Sequence, residues 1–242
     1  MSVLPFSPLR ASLVGAALAI ALSLTAPVSA QTAPDIGVAA SVVNKVEGTL
    51  GQRTAAKATG DKVFENEVIK TGIDSKSQLL FRDETALTVG PNSEVTLDKF
   101  VYNPNGNSSV SVRATRGVFR FVSGSLPSTA YEIKTPAGTL GVRGSIGEFA
   151  ILNDLTVVLH ILEGSFLFDG KLYVAGQVLI IRPGQAPELR DKLTNVQIGI
   201  LLPITLPDNK FDGLPDLPDL DKIKNLRDLV RKRGGKYAPN SD

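Results

Sequence analysis

The stretch Ser109-Val110-Ser111-Val112-Arg113-Ala114-Thr115-Arg116-Gly117-Val118-Phe119-Arg120-Phe121-Val122 decides how the chain is read. Val110, Val112 and Ala114 fall on alternate positions. Phe119 and Phe121 then share one face, and Val118, Arg120 and Val122 share the other. A period of two is the mark of a β-strand, whose successive side chains point to opposite faces. The β-branched residues in it suit a pleated, half-buried surface. Outward from this stretch the alternation repeats. Val38, Ala40, Val42, Asn44 and Val46 show it, as do Val95, Leu97 and Lys99, and Tyr131, Ile133 and Thr135. Val157 to Leu162 and Val178 to Ile181 are apolar throughout, which reads as interior strands covered on both sides.

Turn signals separate these runs at intervals of eight to twelve residues. They include Gly60-Asp61, Asp83-Glu84, Gly90-Pro91-Asn92, Asn103-Pro104-Asn105-Gly106-Asn107, Asn153-Asp154, Asp169-Gly170 and Pro183-Gly184. Such residues accept the backbone angles of tight turns. Many short strands at this spacing predict an all-β architecture: a β-solenoid or β-roll-like stack over residues 38–190, with a β-sandwich as the alternative.

The two ends read differently. Arg10, the uncharged apolar run Leu13 to Leu24 and the small residues Val28-Ser29-Ala30 form the pattern of a secretory signal over residues 1–30. The run is too short to span a bilayer, which needs roughly 20 residues. Periplasmic or extracellular localisation is therefore expected, with no membrane span after cleavage. Residues 191–218 form an apolar segment, expected to lie along the β body, and a linker rich in Pro and Asp. Within 219–235, Leu220, Ile223, Leu226, Leu229 and Val230 recur at helical spacing and Gly234-Gly235 ends the run, predicting a short amphipathic C-terminal helix. This helix is expected to dock on its own β body, to meet a partner, or to touch an anionic surface through its basic residues. Residues 236–242 read as a frayed tail.

Composition excludes several chemistries. There is no Cys, no Trp and a single His, His160. Disulfide frameworks, thiolate metal sites and Cys nucleophiles are impossible. A formal charge of +2 gives no reason to expect a nucleic-acid partner. His160 lies in an apolar run and reads as a buried or rim histidine. Asp83-Glu84 reads as turn chemistry, an Asx turn to Thr85, rather than as paired catalytic carboxylates. The scattered Asp208, Asp212, Asp216, Asp219 and Asp221 fit no calcium loop. No catalytic, cofactor or metal residue is assigned, and the chain is expected not to be an enzyme.

Several blocks carry more than alternation. The first runs from Gly60-Asp61 through Ile69-Lys70-Thr71-Gly72 to Leu79-Leu80-Phe81-Arg82-Asp83-Glu84-Thr85-Ala86-Leu87-Thr88-Val89-Gly90-Pro91-Asn92-Ser93. The second is Thr135-Pro136-Ala137-Gly138-Thr139-Leu140-Gly141-Val142-Arg143-Gly144-Ser145, and Leu162-Glu163-Gly164-Ser165 follows. In this order the blocks resemble the FecR domain, over roughly Val42 to Gln185. Ser145 stands where that family usually has Thr. The resemblance implies a β-solenoid-like or rolled β domain in the periplasm, with another envelope protein as its expected partner. It does not carry over sigma-factor control, because no cytoplasmic segment is expected here.

Recognition is expected at strand edges and turn tips. The polar loop holding Asn103, Asn105 and Asn107 is a candidate contact site, and Arg143 a candidate carboxylate-binding or structural arginine. A glycan-binding surface protein is the alternative reading, weakened by the lack of Trp.

Overall fold

The structure, a computed structural model, describes residues 34–103, 107–201 and 204. These residues form 15 strands, one 3₁₀ turn and one short helix. The strands are β1 (Asp35–Val43), β2 (Val46–Leu50), β3 (Arg53–Ala56), β4 (Lys62–Phe64) and β5 (Val68–Thr71). Next come β6 (Lys76–Phe81), β7 (Ala86–Val89), β8 (Glu94–Val101), β9 (Ser109–Val122) and β10 (Tyr131–Thr135). Then follow β11 (Gly138–Ile151), β12 (Val157–Phe168), β13 (Lys171–Val174), β14 (Val178–Ile181) and β15 (Glu188–Arg190), and helix α1 (Asn195–Leu201).

All the strands belong to one sheet. It is folded over on itself because three long strands serve both halves. The C-terminal half of β9 pairs with β7 and β11, and its N-terminal half with β8 and β10. β11 and β12 divide in the same way. A first layer therefore runs β15-β14-β12-β11-β9-β7-β6-β1-β4. A second runs β13-β12-β11-β10-β9-β8-β5-β2-β3.

The fold line has a local cause. Each shared strand turns at a glycine in the left-handed region: Gly117 at φ +100°, Gly144 at +64° and Gly164 at +69°. L-residues avoid that region, so glycine marks where a strand can bend sharply. Asn44, at φ 58°, makes the same turn between β1 and β2.

The inner faces of the two layers meet in one apolar core. Phe119 stacks on Phe149 with ring centres 5.0 Å apart within the first layer. Phe81 meets Phe100 at 5.9 Å and Phe121 meets Tyr131 at 6.0 Å, both edge-on across the layers. Edge-on aromatic pairs add to the burial that holds the layers together.

The all-β class with a short helix is what the sequence predicts. The strands do not coil as a solenoid. Neighbouring strands pair antiparallel, with β9–β10 the parallel exception, and a parallel stack of coils is absent from the described residues. Strands span Asp35 to Arg190. The predicted signal over 1–30, the helix over 219–235 and the tail over 236–242 lie outside the described residues. The apolar segment past 190 contains α1, whose Leu201 packs with Ile204 on Val118 and Ala150. This helix was not expected as a helix, because seven residues are too few for a periodic signal. The apolar strands Val157 to Leu162 and Val178 to Ile181 are indeed interior: the core covers one face, and Leu152 and Leu193 pack against the other.

A candidate protein-interaction edge

The motif residues hold the fold line together. Asp83 is fully buried. Its Oδ1 accepts from the Thr85 N–H (3.2 Å), and its Oδ2 accepts from the Thr85 hydroxyl (2.7 Å) and the Tyr131 hydroxyl (2.9 Å). This is the Asx turn read from the sequence, with a tyrosine from the second layer added. Burial first, and then the Asp83 carboxylate, push the Tyr131 phenol far above its ordinary pKa. Thr71 donates to the Gly90 carbonyl (2.6 Å) and accepts from the Ser93 N–H (2.9 Å). Ser93 Oγ in turn accepts from the Val118 N–H (2.9 Å), next to the Gly117 bend. Ser145 Oγ accepts from the Ser165 N–H (2.8 Å) and donates to the Ser165 carbonyl, tying β11 to β12 at their bends. These side chains are structural staples with their hydrogen bonds made.

Arg143 is half-buried, and its guanidinium donates to the carbonyls of Ser128 (3.3 Å) and Val142 (3.1 Å). Asn103 and Asn107 are exposed, and Asn105 lies outside the described residues. The loop is closed on itself: Ser108 Oγ accepts from the Asn103 N–H (3.1 Å) and donates to its carbonyl (2.9 Å). Ladder registers put this loop and Arg143 at the same end of the second layer, with β9 and β10 between them. Beside the loop, Tyr102 is exposed and stacks on Phe100 at 6.4 Å.

His160 is half-buried on the outer face of the first layer, and its Nδ1 is buried with no hydrogen-bond partner. Desolvation lowers its pKa below the ordinary histidine value. Its ladder neighbour is Glu148, which pairs with Arg120 at 3.0 Å. Burial raises the Glu148 carboxyl above its usual range, although Arg120 opposes the shift. Among the described residues no cluster of three or more metal-binding side chains occurs.

Strand edges separate more sharply. Among the described residues the sheet ends at β4, β15, β3 and β13. A free edge offers a row of unpaired N–H and C=O groups to any extended chain. Three of the four are obstructed. On β13, Gln177 covers Val174: its side-chain oxygen accepts from the Val174 N–H (2.9 Å) and its own N–H donates to the Val174 carbonyl (3.2 Å). On β15, Glu188 is locked between Arg182 (3.3 Å) and Arg190 (2.6 Å), placing charges along the edge. On β4, the Lys57 ammonium takes the Lys62 carbonyl (2.7 Å).

β3 is open. All its residues, Arg53, Thr54, Ala55 and Ala56, are exposed. It pairs with β2 from Leu50↔Arg53 to Glu47↔Ala56, and the Lys57 N–H continues the ladder to the Val46 carbonyl (2.9 Å). By the alternation of an antiparallel ladder, the N–H and C=O groups of Thr54 and Ala56 point away from β2. Small side chains leave this edge accessible. Sequence reading gave strand edges as a class of contact but no signal for β3, since openness depends on which neighbours block the other three.

No curated protein matches the chain. Two crystal structures of a candidate anti-sigma factor from Parabacteroides distasonis, at 1.65 and 2.50 Å resolution, are similar at 10% identity and a TM-score of 0.41. Each similarity covers 52% of this chain and 59% of that one, less than two thirds of its length. Residues 67–166 match the family described as FecR protein, and they include the staples Thr71, Asp83, Ser93 and Ser145. Over these residues the chain is similar to the FecR family.

Proposed function

We propose that this chain is an exported, non-enzymatic protein-binding module of the bacterial envelope, serving signalling or scaffolding, and that it receives an extended segment of its partner at β3. The similarity to the FecR family supports a signalling or regulatory role. Among the described residues no helix is long and apolar enough to cross a membrane. The observation that carries the reading is the exposed edge of β3, where the N–H and C=O groups of Thr54 and Ala56 face away from β2. An incoming strand would add main-chain hydrogen bonds there, with Arg53 at one end favouring a carboxylate in the added segment.

The test is capture of envelope proteins by the purified exported chain, in wild-type form and as Thr54→Pro. Proline removes the outward N–H of Thr54 and is tolerated on an edge. A specific partner retained by the wild type and lost with Thr54→Pro supports the reading. Equal capture by both overturns the assignment to β3, and no specific capture overturns the module itself.

A further inference from the structure

The outer faces of the two layers differ. That of the second layer is solvated, with Asp98 accepting from Arg113 (2.9 Å) and Lys134 (3.0 Å) and with Glu132 exposed. That of the first layer carries three rows running across the strands. One row is Val118, Ala150, Val158 and Ile180. The middle row is polar: Gln78, Thr88, Arg120, Glu148 and His160. The third is apolar, taking Val38, Leu80, Ala86, Val122 and Ile146 from successive strands, with Leu162 beside Ile146 and Ala40 beside Leu80.

The first row has its cover, since Leu201 and Ile204 pack on Val118 and Ala150. The third row is also nearly inaccessible: Ala86 is 3% exposed, Ala40 4%, Leu80 6%, and Val122 and Ile146 8% each. These side chains point away from the core between the layers. Among the described residues, the apolar neighbours of the row are its own members.

The geometry points to the segment 219–235 of this same chain as the cover of the third row. The chain is last described at Ile204, fully buried on this same outer face, and continues to Asp242. The row crosses six strands from β1 to β12, a distance of about 24 Å at ~4.8 Å per strand spacing. A helix over 219–235 is about 25 Å long. Its apolar positions Leu220, Ile223, Leu226, Leu229 and Val230 recur along one side, as a helix lying on an apolar row requires. From the first row to the third is four residues along β9, about 13 Å at ~3.3 Å per residue. The residues 205–218 span that with ease, since an extended chain reaches ~3.3 Å per residue. The polar row between would separate the two covering helices and fix the position of the second. The inference concerns the outer face of the first layer, not the β3 edge of the second, and stands independently of partner binding.

The absence of native cysteine makes the test clean. A single Ala86→Cys in the full exported chain should react slowly with a maleimide reagent. Adding Ile223→Asp and Leu226→Asp should accelerate labelling at least tenfold while the far-UV circular dichroism of the sheet is retained. The double variant Ala86→Cys with Leu226→Cys should form an intramolecular disulfide, whereas Ala86→Cys with Lys224→Cys, on the other side of the helix, should not. Unchanged labelling in the aspartate variant overturns the inference and leaves a partner as the cover. Disulfide-linked dimers in place of the internal bond overturn it in favour of a second copy of the chain.

Discussion

At the scale of single residues, the same local turn occurs twice with different surroundings. Asp83-Glu84-Thr85 and Asp154-Leu155-Thr156 both have the Asp accepting from the Thr N–H and hydroxyl, with the middle residue at positive φ. Only Asp83 is buried and also holds Tyr131. Asp83→Ala should cost about 2–4 kcal/mol in urea denaturation, because it strands a buried phenol and hydroxyl. Asp154→Ala should cost much less, since water replaces the lost acceptor. Equal losses would show that the turn, and not the inter-layer bond, carries the stability. His160 sets a pH dependence. Its folded pKa lies below that of the unfolded chain, so the unfolded chain binds more protons as pH falls from about 6.5. Stability is therefore lost on acidification through that window. Glu148 has the opposite sign: its raised folded pKa makes stability fall as pH rises above about 4.5. His160→Leu should remove the acid-side loss, read as a flatter curve of denaturation midpoint between pH 7.5 and 5.5. A curve parallel to that of the wild type would mean that His160 does not titrate differently on folding.

At the scale of elements, the glycine bends decide which strands can serve both layers, and they differ in room. A Cβ at Gly117 would lie 2.1 Å from Ser93 Oγ and 2.4 Å from its Cα, and one at Gly164 would lie 2.3 Å from the Gly144 carbonyl. At Gly144 nothing is within 4 Å. Gly144→Asn should therefore cost about 1 kcal/mol, the left-handed penalty softened by asparagine's tolerance of that region. Gly117→Ala and Gly164→Ala should each cost about 3 kcal/mol or more, adding a backbone clash to a strained φ. Comparable losses at all three sites in thermal unfolding would assign the cost to φ alone. These bends also mark the limit of the sequence reading. Alternation in Val110 to Val122 declares a strand, and it was found as β9. That its two halves face different layers depends on Gly117 meeting Ser93, 24 positions away in the chain, which no local period reports. The Asx turn at Asp83 was legible because its hydrogen bonds close within two residues. The obstruction of β13 was not, since Gln177 has no signature until the chain is folded. The loop of Asn103 and Asn107 was legible as a polar protrusion, but Ser108 closing it was not.

At the scale of the molecule, the shared strands mean that neither layer is a separate folding unit. Removing the second layer would take the N-terminal half of β9 and the outer halves of β11 and β12 with it. It would also leave Phe121 and the Asp83 carboxylate without Tyr131. The core is correspondingly a single cluster reaching from Ile36 to Ile181. Partial unfolding would expose that core and orphan buried polar groups at once, so intermediates should be poorly populated. Urea unfolding of the exported chain should give one transition, with the same midpoint by far-UV circular dichroism, which reports the ladders, and by near-UV signal, which is weighted to the buried tyrosines. With no cysteine in the chain, reductant should leave that midpoint unmoved. Refolding should be slow for the size of the domain, on the order of milliseconds to seconds, because pairings between strands distant in sequence must close before they stabilise anything. Two separated midpoints would mean that the layers come apart at the glycine bends. In that case Gly117→Ala should shift only one of the two, which identifies the layer that depends on the bend.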